Sequence, residues 1–390
     1  MRETKFKKTE LGPIPTDWDI LTIDEFSDIV TGATPSTENP DYWGGHILWM
    51  SSGELNNKVI YDVIGRITKE GYNSASTHML PANCILIGLA GQGKTRGTVA
   101  INKIPLCTNQ SIGAILPSEK YDSDYLYFFM DSQYDNLRSI SSGDGGRGGL
   151  TKKLLLSYEI VAPKDKEEQK NIAKALTDID LLIRELQEII SKKRAILQGT
   201  MQELLTARRR LPGFSEPWVP VQFHEILKYE QPTKYLVSST EYADNGIPVL
   251  TAGKTFILGY TSEKENVYSQ LPVIIFDDFT TDSKWVDFPF KAKSSAMKML
   301  MLKSSDYDLR FVFYLMQVTS FEAVEHKRHW ITEFSNILTY VPNLKEQQVI
   351  TQILSDMDSE ITELKVKRDK YMAIRQGMMQ QLLTGKIRLI

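Results

Sequence analysis

Two stretches of the chain carry apolar residues at alternating spacings of three and four. One runs Ile172, Leu176, Ile179, Ile183, Leu186, Ile190, and the other Ile350, Leu354, Met357, Ile361, Leu364. This is the period of a helix with a single apolar stripe. A helix of about 40 residues is about 60 Å long, so its stripe needs a partner helix, and the obvious partner is the other copy. Ahead of each stretch the pattern changes. The runs CILIGLA, GTVAINKI, PVIIFDD and VDFPFKA are short, β-rich and separated by Gly, Asn, Asp and Ser clusters, which predicts strands. DYLYFFMDS and DLRFVFYLMQVTS return to helical spacing, so each module is expected to place one helix over an antiparallel sheet.

The two helical stretches are copies of each other. Aligned without a gap from Gln169 and from Gln347, they share roughly 20 of about 43 positions. LGPIPTDW at Leu11 has an echo in LPGFSEPW at Leu211, HILWMSSGEL at 46 has one in GIPVLTAGKT at 246, and the endings YEIVAP and ILTYVP precede the two helices. The chain therefore reads as variable module, shared segment, variable module, shared segment, with boundaries at 1–162, 163–211, 212–341 and 342–390. The expected fold is α+β: two α/β domains separated by an antiparallel coiled coil of two long helices, related by a pseudo-twofold internal repeat.

Composition narrows the class. The chain has 390 residues, 42% hydrophobic and 24% charged, which suits a globular protein of two to four structural units. The start, MRETKFKKTELGPIP, has no apolar signal-peptide core, and no run of about 18 apolar residues occurs, so a cytoplasmic protein is expected. Cys84 and Cys107 are the two cysteines and are expected to be small buried residues. A formal net charge of -3 gives no global attraction to nucleic acid, so DNA binding would need local basic patches.

Residues 88–95, GLAGQGKT, match the phosphate-binding loop pattern. A working loop of that kind leads from a strand into a helix, whose N-terminus holds the phosphates. Here Gly97, Thr98 and Val99 and the Asn102–Lys103 turn predict a second strand, hence a hairpin. The acidic strand that would hold magnesium, VIIFDD, follows Leu271–Pro272 just as CILIG follows Leu80–Pro81, so the two motifs occupy the same place in different modules. In an antiparallel arrangement they would be far apart, whereas a nucleotide enzyme needs both at one phosphate. A nucleotide hydrolase using Lys94 with Asp277 or Asp278 is the alternative reading. As a hairpin tip, the stretch offers Gln92, Lys94, Thr95 and Arg96 as donors for DNA phosphates or base edges.

Other basic clusters fit the same role. Arg147 lies in the glycine-rich SSGDGGRGGLTKK, at the place where the second module has Lys327 and Arg328 in EHKRHWITEF. Lys254 in GKT, Thr280 and Lys284 in FTTDSK, and Lys291 in KAKSSAMK are further candidates, the alternating Lys291 and Lys293 being equally readable as the solvent face of a strand. Asp277 and Asp278 lack a third acid or His nearby, and His326 and His329 lack partners, so no metal is expected. No nucleophile and base occur in a supporting order.

In order, and twice over, these motifs resemble the DNA-specificity subunit of type I restriction-modification enzymes across essentially the whole chain. The resemblance is carried by GATPSTENPDYWGGHILWMSSGEL at 32–55, Asn109–Gln110 in CTNQSIGAI, EEQKNIAKALTDID and KEQQVITQILSDMD, the endings LLTARRRL and LLTGKIRL, and GKTFILGYT, VIIFDDFT and KSSAMKML in the second module. It implies a non-catalytic subunit with two target-recognition domains, each reading half of a bipartite double-stranded DNA target. The helices would set the spacing and dock two methyltransferase subunits. S-adenosylmethionine, ATP and magnesium would be used by those subunits and by the restriction and translocase subunits, with no cofactor and no membrane contact for this chain. The second module lacks the TPS and YWGG signature, which implies a different half-site. A specificity factor of another modification or defence assembly is the other alternative.

Overall fold

A computed structural model describes residues 4–91, 93–141, 148–251, 253, 255–319 and 329–390, without the side chains of 331 and 332. The chain divides into two compact units, 1–186 with 367–390, and 187–366. Both divisions fall inside long helices. Four helices organise the description: α1 (Ser123–Ser132), α2 (Lys166–Leu205), α3 (Leu309–Val318) and α4 (Leu344–Leu382).

The first unit is built on a five-stranded sheet in the order Ile29–Thr31, Ile112–Ile115, Ile85–Gly88, Val99–Asn102, Val59–Ile60. Ile85 and Ile87 point into the core under α1 with Tyr125 and Met130, while Leu86 points into a second core with Cys84 and Leu106. Burial of both faces is why CILIG reads as a continuous apolar run and not as an alternation. A smaller sheet orders Cys107–Thr108, Trp43–Met50 and Gly65–Ile67.

The second unit repeats the plan. Its four-stranded sheet runs Leu227–Glu230, Met297–Leu302, Val273–Asp277, Ser283–Val286, with α3 over it and Ile274 and Phe276 in the shared core. Its smaller sheet orders Ile257–Thr261, Ile247–Leu250 and Lys291–Ala292. The expected antiparallel sheet lies under α3, whereas the sheet under α1 has one parallel edge pairing and the two smaller sheets one each. Val59–Ile60 runs parallel to Ile101–Asn102, Cys107–Thr108 to Trp49–Met50, and Lys291–Ala292 to Val249–Leu250.

In each unit the helices run antiparallel. In the first, Glu168 pairs with Arg388 and Asp180 with Arg375, so positions advance along α2 as they retreat past α4. In the second, Lys193 pairs with Glu360 at 2.7 Å and Arg210 with Glu346 at 2.8 Å. The stripe residues Ile172, Leu176, Ile179, Ile183, Leu186 and Ile190 are buried, as are Ile350, Leu354 and Ile361, while Met357 and Leu364 are half-buried. At their starts the helices are fastened identically. Gln169 donates to Pro163 O and accepts from Asp122 N, the N-cap of α1, at 2.8 Å each. Gln347 donates to Pro342 O and accepts from Asp308 N, the N-cap of α3, at 2.9 Å each.

Candidate nucleic-acid interface

GLAGQGKT is a hairpin. Ile85–Gly88 and Val99–Asn102 pair antiparallel, Gly88 N donates to Thr98 O and Gly97 N to Gly88 O, both at 2.9 Å, and no helix begins there among the described residues. Gly97 turns at φ +80°, and a Cβ there would press on Tyr134 O at 3.3 Å. The tip's carbonyls are spoken for by protein donors: Arg138 Nη1 donates to Gly93 O at 2.8 Å, and Thr98 Oγ1 and Tyr134 OH donate to Lys94 O at 2.7 and 3.1 Å. These contacts tie Gly93 and Lys94 to the protein without forming a phosphate cradle, and they leave the Lys94 side chain exposed and Thr95 half-buried.

Three segments converge at this edge. Leu89, at the root of the tip, donates its N–H to Ser111 O at 2.8 Å and accepts from Leu150 N at 2.9 Å. The turn after Cys107–Thr108 and the segment resuming at Gly148 are thereby fixed beside the hairpin. In the turn, Asn109 N donates to Met50 O at 3.1 Å, and the exposed Gln110 accepts from Thr34 Oγ1 at 2.6 Å. Thr34 belongs to a segment strapped by two indoles, Trp49 Nε1 donating to Ala33 O and Trp43 Nε1 to Ser36 O, both at 3.0 Å. With its carbonyl engaged, the exposed Gln110 has only its amide N–H groups left to offer a ligand, which suits an acceptor such as a purine edge or a phosphate.

The second unit builds the same edge from other residues. Val273–Asp277 and Ser283–Val286 form the hairpin. Asp278, in the place of Leu89, donates its N–H to Ala296 O at 3.0 Å and accepts from His329 N at 2.9 Å. Lys293 N donates to Leu250 O at 2.8 Å, as Asn109 N does to Met50 O, and its ammonium lies 5.9 Å from the Tyr242 ring centre. Thr280 is exposed at the tip, and Lys284 is partly exposed and pairs with Asp282 at 2.7 Å.

Two expected DNA-contacting residues are corrected. Arg96 is buried, with its guanidinium donating to Gly148 O, so it ties the hairpin to the resuming segment instead of facing solvent. Lys291 is 3% exposed, donating to Glu265 O at 3.0 Å and pairing with Glu263 at 2.6 Å; the pair holds the Glu263 carboxyl below its ordinary range. Its strand is only two residues long and lies against Val249–Leu250, so neither the solvent-face nor the phosphate reading fits. Gln92, Arg147, Lys254, Lys327, Arg328 and His326 lie outside the described residues.

Of Gln110, Lys293 and Arg138, sequence reasoning weighed only Lys293, as a lysine of KAKSSAMK suited either to phosphate contact or to the solvent face of a strand. The signal for the first two is topological: each follows a two-residue parallel strand and sits beside the root of the hairpin tip, which becomes visible only in the strand register. The supposed metal acids are internally engaged. Asp277 Oδ1 accepts from Phe279 N at 2.9 Å, and Asp278 pairs with Lys298 at 3.0 Å. His329 Nδ1 lies 2.8 Å from Glu333 Oε2, and among the described residues no group of three His, Cys, Asp or Glu can hold a metal. Cys84 and Cys107 are buried, and burial pushes the Cys84 thiol up to about 12. Among the described residues no helix is long and apolar enough to cross a membrane.

The family profile of the type I restriction modification DNA specificity domain matches residues 15–193 and 215–370. The chain belongs to this family. It is 41% identical over 211 residues to the type I restriction enzyme EcoR124I/EcoR124II specificity subunit of Escherichia coli, covering 48% of this chain and 52% of that one. Over 207 residues it is 36% identical to the MjaIX specificity subunit of Methanocaldococcus jannaschii, covering 52% and 46%. The chain thus spans about half the length of these two relatives. The MjaVIII specificity subunit of the same organism matches at 23% identity over 99% of this chain and 97% of its own. Among solved structures, the S subunit from M. genitalium superposes with a TM-score of 0.65 at 18% identity, covering 97% of this chain and 98% of that one, which shows the fold.

Proposed function

We propose that this specificity subunit reads a bipartite double-stranded DNA target, one half through each unit. The observation that carries the reading is the repeated edge: hairpin tip, adjoining turn and resuming segment are fastened by the same backbone hydrogen bonds in both units, while the exposed side chains differ. A constant frame with unlike donors is what reading two different half-sites requires. Lys94 and Lys284 serve phosphates, and Gln110, Thr95, Lys293 and Thr280 serve base edges. Gln92, Arg147, Lys254, Lys327 and Arg328 stay candidates for DNA contact on their sequence alone.

α2 and α4 set the spacing between half-sites and dock two methyltransferase subunits. Exposed apolar residues on both helices, Ile196 and Val366 in the second unit and Met372 and Ile374 in the first, support docking of partner helices. Methyl transfer from S-adenosylmethionine and ATP-driven cleavage belong to partner subunits in the cytoplasm, where the chain meets chromosomal DNA. The test is selection from a randomised duplex pool by the chain assembled with its methyltransferase subunits. Two short fixed blocks separated by a spacer of constant length are expected. A single contiguous block, or no enrichment, would overturn the reading.

A further inference from the structure

The second unit carries an ion pair with no counterpart in the first. Asp278 and Lys298 meet at 3.0 Å, and both side chains are fully buried. Apart from Asp278, the ammonium faces the Tyr229 ring, 5.3 Å from its centre. The strand register identifies the equivalent residues in the first unit. Gly113 pairs with Ile87 as Lys298 pairs with Phe276, and Leu89 holds the backbone place of Asp278. There the space is apolar: a Cβ on Gly113 would meet Leu89 Cδ2 at 3.0 Å.

The same frame therefore closes with hydrocarbon in one unit and with two desolvated charges in the other. Removing two charges from water costs more than such a pair commonly returns, and an apolar replacement is often neutral or stabilising. Stability does not explain the pair. What Asp278 does that Leu89 cannot is accept a second backbone hydrogen bond: its Oδ1 takes Trp330 N at 3.0 Å, beside the His329 N–H held by its own carbonyl. A leucine fixes the resuming segment by one bond; the aspartate fixes it by two. The same residue roots the tip that carries Phe279, 40% exposed, and Thr280. Lys298 Nζ stands 3.0 Å from the other carboxylate oxygen, Oδ2, on the side away from Trp330 N.

We propose that the Asp278–Lys298 pair is a positioning device for base reading by the second unit, locking hairpin tip and resuming segment into one register. The inference rests on the reading of one half-site per unit. The experiment is methylome sequencing of a host carrying the full complex with wild-type chain, D278L/K298A, which imitates the first unit, or D278N/K298M, which keeps the acceptor without the charges. Melting of each purified chain is measured alongside. D278L/K298A is expected to melt as wild type and to keep the first half of the motif, while discrimination at the second half falls roughly three- to tenfold, the worth of one hydrogen bond. D278N/K298M should recover most of that stringency. Undiminished stringency in D278L/K298A, or equal relaxation in both variants, overturns the proposal. Should D278L/K298A melt low, hydrogen exchange of the wild type decides: a Trp330 amide as protected as the central strands supports the lock, and one that exchanges as freely as an exposed loop overturns it. Absence of any two-part motif in the wild type would instead sink the reading on which the inference stands.

Discussion

Replacing Arg210 with Met should destabilise the second unit through one buried carboxylate. Arg210 donates through Nε and Nη2 to the two oxygens of Glu346 at 2.9 and 2.8 Å, donates to Glu216 O at 3.0 Å, and lies over Trp218. The Glu346 side chain is 1% exposed and that of Arg210 28%. Breaking a fully buried pair by removing one partner costs about 3–5 kcal/mol. Water can reach the vacated guanidinium site and screen the carboxylate, so we take about 2–3 kcal/mol. At about 2–4 °C per kcal/mol for a unit of this size, the midpoint should fall by roughly 4–12 °C. The control is Lys193→Met, whose partner Glu360 is 53% exposed and whose loss is worth about 0–1 kcal/mol. Scanning calorimetry on the full chain measures both, and the double variant R210M/E346M should recover much of the loss. Equal shifts for R210M and K193M would refute the reasoning, because they would make burial of Glu346 irrelevant.

Further outcomes follow from other positions. Lys94→Ala should leave melting unchanged and lower the salt slope of DNA binding by about one, whereas Lys291→Met should leave the slope alone and lower the melting point; titrations across salt concentrations with parallel melts separate them. Ala207 and Gly385 hold equivalent positions after α2 and α4 with φ of 56° and 68°, and a Cβ at Gly385 would also press on Trp18, so Ala207→Gly should stabilise by about 0.5–1 kcal/mol while Gly385→Ala destabilises by at least about 1. Denaturant titrations check the opposite signs. Arg388 holds the Asp17 carboxyl below its ordinary range, so that contribution is complete above the ordinary carboxylate value and is lost as pH falls through the lowered one; Asp17→Asn should flatten the acid limb of a stability-against-pH curve. The Cys84 thiol, raised by burial, should resist a thiol-specific reagent at neutral pH until the chain is unfolded, and rapid labelling of the native protein would contradict its placement.

The repeat, the long helices and the hairpin at GLAGQGKT were legible because each rests on local signals: period, a self-alignment without gaps, and a glycine followed by β-branched residues. The fate of individual charges was not. Lys291 is buried by Glu263, an acid 28 positions earlier that reaches it only through the parallel strand pairing. Arg96 is buried by a carbonyl at Gly148, on the far side of α1 in sequence. Alternation in KAK implied two lysines on one face, yet the strand ends after Ala292, which sends Lys293 into the turn and Lys291 into the core. Asp277 and Asp278 read as a metal-like pair because sequence adjacency hides the strand neighbour, Lys298, that claims one of them.

Methylome sequencing of a host with and without this chain tests the central claim most directly. Loss of one two-part methyladenine motif, with every other modified motif kept, is the predicted result. An unchanged methylome in a host that expresses the chain with its methyltransferase partners would contradict it.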